Sequence, residues 1–307
     1  MDYVEVSEHT GYIPGAVNIG VLRNGNEVIL IDTGLDKDSG RKTLRLLEEH
    51  GLQLKAIINT HSHADHFGGN AYLVRNVGAK VYAPSIESGI IMNPLLEPVY
   101  LFHGAYPISN LRNKFVLADP SLVDQILEPG NITINGLDLE IVPLPGHSFN
   151  QIGVKLDDVL FCADTVFSDR VIDKYRIPVV QDVTRHLKTL SELKEMKCKF
   201  FVPSHCKPTD DIRELVEKNI STTESIIADI KEILSEPKTT DDVQSELGKK
   251  YGLDLSVVQQ YYLIHMTIMA YLGYLYDSKQ TEIKMKDNCL FWSLKNSLLD
   301  VHKYPVT

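Results

Sequence analysis

Residues 59–70, NTHSHADHFGGN, place His61, His63, Asp65 and His66 within six positions. Imidazole nitrogens and carboxylate oxygens are ligands for zinc, iron or manganese, and crowding them is costly unless a cation lies between them. His61 and His63 are two apart, so in an extended segment their side chains point the same way. Asp65 and His66 lie just beyond and can turn toward a neighbouring point. One loop can therefore serve two metals, His61 and His63 the first, Asp65 and His66 the second. Each metal then needs about one further protein ligand and an open position for water. His147 and His205 are candidates because each sits in a loop after an apolar run, and Asp164 offers two carboxylate oxygens with which to bridge. The expected chemistry is hydrolytic. A metal pair lowers the pKa of a bridging water from ~15.7 towards 7, and the resulting hydroxide attacks a carbonyl carbon or a phosphorus. Asp65 and Asp164 are the candidate catalytic carboxylates, Asp65 holding the nucleophile by a hydrogen bond. His103, Tyr106 and Tyr175 are weak candidates for the leaving-group acid.

These residues must be brought together by strands. Residues 26–34, NEVILIDTG, read as a strand ending at Asp32 in a turn; 39–51 as an amphipathic helix; 54–59 as a buried strand entering the histidine cluster. A helix at 69–77 follows, started close behind the cluster by Gly68-Gly69, and then a strand at 79–84. The alternation places the chain in the α/β class. Residues 85–130 are broken by Pro94, Pro98, Pro107 and Pro120 and read as an insertion over the site, not as sheet. Residues 132–148 form a hairpin about Asn135-Gly136 and deliver His147. A second hairpin, 152–165, turns at Asp157-Asp158 and ends at Asp164. After a helix near 182–196, a strand at 199–208 delivers His205. Each candidate thus follows a strand, and strand ends on one rim of a sandwich can converge although distant in sequence.

Beyond 210 the texture changes to helices at 210–234, 240–251 and 256–272, then a hairpin-like 272–294. That order resembles a winged helix, which divides the chain into 1–209 and 210–307. Acidic residues outnumber basic ones in this tail, so a packing or dimerisation module is the simpler reading than a DNA-binding one.

The motifs IDTG (31–34), THSHADH (60–66), GHS (146–148), ADT (163–165) and SHCKP (204–208) occur in this order across residues 28–208. Together they resemble the metallo-β-lactamase superfamily. The resemblance implies an αββα sandwich with a dinuclear site on one rim. It assigns His61, His63 and His147 to one metal, Asp65, His66 and His205 to the other, Asp164 to the bridge, and Asp32 to orienting the histidine loop behind them. His63 stands where flavo-diiron members have Glu, and Asp164 where true β-lactamases have Cys. The tail does not resemble the glutathione-binding helices of glyoxalase II and is closer to winged-helix-tailed members. The leading expectation is a hydrolase of a small ester, thioester, lactone or phosphoester with two divalent ions, zinc first and iron or manganese as alternatives. A metal-dependent endoribonuclease and a mononuclear-iron persulfide dioxygenase are the other readings.

Composition narrows the classes. The 307 residues are 43% hydrophobic and 23% charged, with a formal net charge of −10 that disfavours broad nucleic-acid binding. Four cysteines without CxxC spacing read as reduced thiols, Cys162 and Cys206 as small buried hydrophobes. No basic, apolar leader opens the sequence and no apolar run approaches ~18 residues, so a cytoplasmic protein with a small-molecule substrate and a possible homodimer is expected. His9, His50, His186, His265 and His302 lack ligand spacing and are read as structural, and the apolar stripe at 257–275 as core.

Overall fold

The computed structural model describes residues 3–295; His302 lies outside them. The chain divides into two compact units, one ending at Ile220 and the other beginning at Ser221. Two sheets make the centre of the first unit. One has seven strands in sequence order: β1 (Val4–Glu5), β2 (Thr10–Ile13), β3 (Ile19–Asn24), β4 (Glu27–Ile31), β5 (Gln53–Ile58), β6 (Lys80–Pro84) and β7 (Gln125–Leu127). The other runs in the order β12 (Phe200–Pro203), β11 (Val159–Ala163), β10 (Ile152–Leu156), β9 (Leu137–Pro143) and β8 (Gly130–Ile134).

Successive side chains on a strand face opposite ways, and here both faces are covered. From β4, Ile29 and Ile31 join Ile134, Ile141, Val154, Phe161 and Val202 of the second sheet in a core between the sheets. Val28 and Leu30 turn the other way, onto Leu44 and Leu47 of α1 (Lys37–Glu49) and Leu73 of α3 (Asn70–Val77). On the second sheet Leu160 and Cys162 pack outward against Leu190 and Leu193 of α7 (Val183–Glu195) and Val216 at the start of α8 (Arg213–Ile233). The result is the four-layer αββα sandwich. Short helix α2 (Ala64–Phe67) lies within the histidine motif, and α6 (Asp169–Tyr175) follows Asp164.

Two hairpins turn where expected. Asn135 and Gly136 take φ of 49° and 75°, Asp157 and Asp158 take 52° and 59°, the left-handed pair a tight two-residue turn demands. Residues 85–130 differ from the irregular reading. They contain α4 (Ser85–Met92) and α5 (Leu96–Leu101), and β7 pairs in parallel with β6, Ala83 opposite Ile126. So short a strand, half exposed at a sheet edge, leaves no alternating pattern to read. Strands β1 to β3, for which the sequence offered no reading, complete the other edge.

The second unit contains α9 (Thr240–Tyr251), capped by Thr239 and Asp242 through reciprocal side-chain bonds, then α10 (Val258–Asp277) and a hairpin of β13 (Thr281–Lys286) and β14 (Cys289–Leu294). Ile264, Ile268, Tyr271, Leu272 and Leu275 of α10 are buried. No helix among the described residues is long and apolar enough to cross a membrane.

Candidate metal centre

Parallel neighbours β4 and β5 end side by side, as do β11 and β12. Asp32 follows β4, His61 lies three residues past β5, Asp164 follows β11 and His205 lies two past β12; His147 lies four past β9. Several of these junctions carry unusual backbone. Asp32 has φ 62°, and Ala163, immediately after a register shift in β11, has φ 49°. Non-glycine residues adopt such angles only when the surroundings hold them there, commonly at functional sites. Gly146 has φ 136°, and a Cβ there would lie 2.4 Å from the His186 Cα. A Cβ on Gly68 would lie 1.9 Å from the Leu35 carbonyl oxygen, and one on Gly69 2.5 Å from that of Thr33. The glycine pair lets the turn after the histidine motif press against the loop leaving β4.

Seven side chains meet at this rim. His61 Nε2 lies 3.2 Å from His63 Nδ1, and His147 Nε2 lies 2.9 Å from the same atom. On the other side His205 Nε2 lies 3.4 Å from an Asp65 oxygen, and His66 Nε2 3.8 Å from the other. Asp164 stands between the groups. One oxygen is 3.1 Å from His205 Nε2 and 3.5 Å from His147 Nε2; the second is 3.3 Å from His66 Nε2. Three sets of potential ligand atoms therefore lie within 4.8 Å of one another: His61, His63, His147; Asp65, His66, His205; and His61, His66, Asp164.

For four of the five rings the far side decides where one proton sits. His147 Nδ1 donates to the Val179 carbonyl at 2.8 Å and His205 Nδ1 to that of Ala16 at 2.8 Å. His66 Nδ1 donates to Asp32 at 2.7 Å. The Thr60 hydroxyl gives its proton to Asp32 at 2.8 Å, so it accepts from His61 Nδ1 at 3.0 Å. Carbonyls and carboxylates only accept, so in these four rings a proton points outward and the other nitrogen is turned toward the cluster. On a neutral ring that inward nitrogen keeps its lone pair, and lone pairs set close together repel unless a cation sits among them.

Charge follows the same division. Burial, then the neighbouring histidines, holds His61 far below the ordinary imidazole range, and burial leads in holding His63 and His147 at about 4. That trio is neutral at pH 7. Burial also opposes charge on His66 and His205, but there Asp164 with Asp65, and Asp32 for His66, outweighs it; His205 is held at about 10. Asp65 and Asp164 are held low by His66 and His205 against the opposing effect of burial. His63 Nε2, His66 Nε2 and Asp164 Oδ1 are buried with no hydrogen-bond partner. Unsatisfied buried polar atoms of this kind are uncommon, and two of the three face into the cluster, where a divalent cation would meet them. The donor set fits metal.

Asp32 is 1% exposed and takes the Thr60 N–H at 2.8 Å in addition to the Thr60 hydroxyl and His66. It therefore aligns residues on both sides of His61. Tyr106 and Tyr175 are exposed, bonded to Arg112 and Lys174, and neither they nor His103 belong to a ligand set. Cys162 and Cys206 are buried in the outer core, where burial pushes both thiols up, Cys206 to about 12, so neither offers a thiolate. His9 pairs with Asp157 at 2.9 Å away from the cluster, and His186 backs Gly146.

Glu87 was missed from the sequence. On α4, 0% exposed, it accepts from Ser62 and Ser148, the neighbours of His61, His63 and His147. Its one signal is serine beside each ligand of the trio, which calls for a common acceptor only once the loops are known to be adjacent.

The sequence profile described as "Metallo-beta-lactamase superfamily" matches residues 12–205. A hydroxyacylglutathione hydrolase of Shewanella pealeana is 32% identical over 136 residues, 44% of this chain and 41% of that protein. Another, from Albidiferax ferrireducens, is 28% identical over 49% of this chain and 48% of its own length, so the chain spans less than half of these relatives. Among solved structures, a metallo-beta-lactamase family protein from Thermus thermophilus is similar over 91% of this chain and 94% of its own, with TM-score 0.70 at 21% identity. A beta-lactamase domain protein from Burkholderia ambifaria is similar over 96% and 94%, with TM-score 0.72 at 17% identity.

Proposed function

The chain belongs to the metallo-β-lactamase superfamily, and from that premise we propose that it is a dinuclear metal-dependent hydrolase of a small ester, thioester, lactone or phosphoester. The observation that carries this reading is the position of Asp164, a buried carboxylate within 3.1–3.5 Å of nitrogens from both three-residue groups. His61, His63 and His147 would hold one ion and Asp65, His66 and His205 the other, with Asp164 shared. Zinc suits this nitrogen and oxygen set, with iron and manganese as alternatives. Once bound, such ions supply Lewis acidity and make water acidic enough to ionise near neutral pH.

The protein's own groups prepare that chemistry. Asp32, Val179 and Ala16 fix the ring orientations, so little reorganisation is needed at the moment of reaction. Asp65, whose side chain keeps 36% exposure, is the ligand-set carboxylate open to solvent and can accept a hydrogen bond from an attacking water. The names of the similar hydrolases favour acyl cleavage among the substrate classes. Residues 210–307, with three helices and a hairpin, read as winged-helix-like, and their acidic balance favours packing or dimerisation over nucleic acid. Cytoplasmic residence is in keeping with cysteines that are all unpaired.

Elemental analysis combined with a screen over thioesters, lactones, phosphodiesters and RNA tests this function. About two ions per chain and acyl cleavage are expected, with Asp164→Asn or His66→Ala lowering kcat/KM by at least about 10²-fold, since several kcal/mol of charge stabilisation go with a metal. Fewer than about one ion per chain, with turnover indifferent to both substitutions, overturns it. Salt-sensitive RNA cleavage alone would move the assignment to an endoribonuclease. One equivalent of iron with oxygen consumption on a persulfide would move it to a dioxygenase.

A further inference from the structure

Thr60 and Ser62 flank His61, and each offers its backbone N–H and its hydroxyl to a buried carboxylate. For Thr60 the acceptor is Asp32. For Ser62 it is Glu87, whose Oε2 accepts the N–H at 3.0 Å and the hydroxyl at 2.5 Å. The other oxygen, Oε1, accepts the Ser148 hydroxyl at 2.5 Å and the Asn150 N–H at 2.9 Å. These four donors fill the roughly four lone-pair positions of a carboxylate, so the group is held in one orientation. No cation pairs with it among the described residues. Ser62 lies between His61 and His63, and Ser148 follows His147. One carboxylate therefore spans two loops some 85 residues apart and ties together the three neutral histidines.

We propose that Glu87 is the positioning residue of the His61, His63, His147 site: it fixes the spacing of the two ligand loops and sets the affinity of that site for a divalent metal. The assignment rests on the metal reading above. The second ligand group has its own carboxylates, Asp65 and Asp164, and Asp32 behind His66; the histidine trio has no carboxylate of its own besides the shared Asp164. Glu87 is to Ser62 and the trio what Asp32 is to Thr60 and His66. Glutamine in its place would keep the shape but present one acceptor oxygen and an NH2. A backbone N–H cannot reverse to accept, so one loop would lose its hold. Loss of an outer partner of this kind typically costs 10–100-fold in metal affinity.

Zinc binding to the metal-stripped full chain, measured by chelator competition, tests the proposal. In Glu87→Gln one of two affinities should fall about 10–100-fold and the other stay within about threefold. In a His205→Ala background, which weakens the second group, Glu87→Gln should then weaken the remaining site. Ser148→Ala removes one donor, leaves Glu87 in place, and should lower the same affinity by a smaller factor; it decides the matter should Glu87→Gln fail to fold. Two unchanged affinities overturn the proposal. So does a parallel fall of both together with the melting temperature of the metal-stripped protein, which would mark Glu87 as general support for the fold. A wild-type chain that binds no zinc overturns the metal reading itself, whereas two wild-type sites beside an indifferent Glu87→Gln overturn only this assignment.

Discussion

At the scale of single residues, the site is organised by what lies behind it. Four histidines carry protons outward because a carbonyl, a hydroxyl or Asp32 waits there, and their other nitrogens face the cluster as a consequence. The same burial that keeps the trio neutral acts on Glu97 of α5, 3% exposed, with Asp65 and Glu87 nearby. Burial first, then those two charges, pushes its carboxyl well above the ordinary range. The sign is direct: the unfolded chain ionises near about 4.3 while the folded one keeps its proton, so the contribution of Glu97 to stability is full at low pH and is lost as pH rises. Glu97→Gln, neutral throughout, should gain stability relative to the wild type between pH 5 and pH 8. Urea unfolding of the metal-stripped proteins at both values reads this, and an equal difference at the two pH values would exclude it.

Elements place these residues by ending. A parallel pair of strands delivers its termini at one edge, so Asp32 and the histidine motif arrive together from β4 and β5, and Asp164 and His205 from β11 and β12. The connections then have to be tight. With a Cβ on Gly68 placed 1.9 Å from a backbone oxygen that cannot swing away, Gly68→Ala should destabilise the protein by about 2–3 kcal/mol. It should also weaken zinc binding, because α2 carries Asp65 and His66. Gly89→Ala, where a Cβ meets nothing within 4 Å, is the control expected to stay near neutral in thermal melts. Strands β4 and β11 were legible in sequence as short apolar runs. The fact that both faces are covered, one by helices and one by the opposing sheet, became visible only in the packing.

For the molecule as a whole, a candidate metal centre that only folding assembles couples metal binding to stability. Anything bound to the folded chain alone stabilises it, by about 4 kcal/mol at a thousandfold excess over Kd. Chelation should therefore lower the melting temperature by several degrees, and added zinc should restore it. A melting temperature indifferent to chelator would separate the site from the stability of the fold.

The chain by itself determined which residues are candidates for the chemistry. Histidine and aspartate at 61, 63, 65 and 66, followed in order by His147, Asp164 and His205, mark the candidate ligands by type and order. The short apolar runs before them fix the α/β class, because residue type and local spacing are properties of sequence. Tertiary structure alone decided what stands behind the ligands. Glu87 is 25 residues from Ser62 and 61 from Ser148 and lies in a stretch without alternating pattern, so nothing local marks it. The edge strand β7, too short and half exposed to show a period, and the left-handed turns at Asp32 and Ala163 belong to the same class. These features exist because distant segments press together, and hydrogen-bond satisfaction in a buried contact is written in no single segment of the chain.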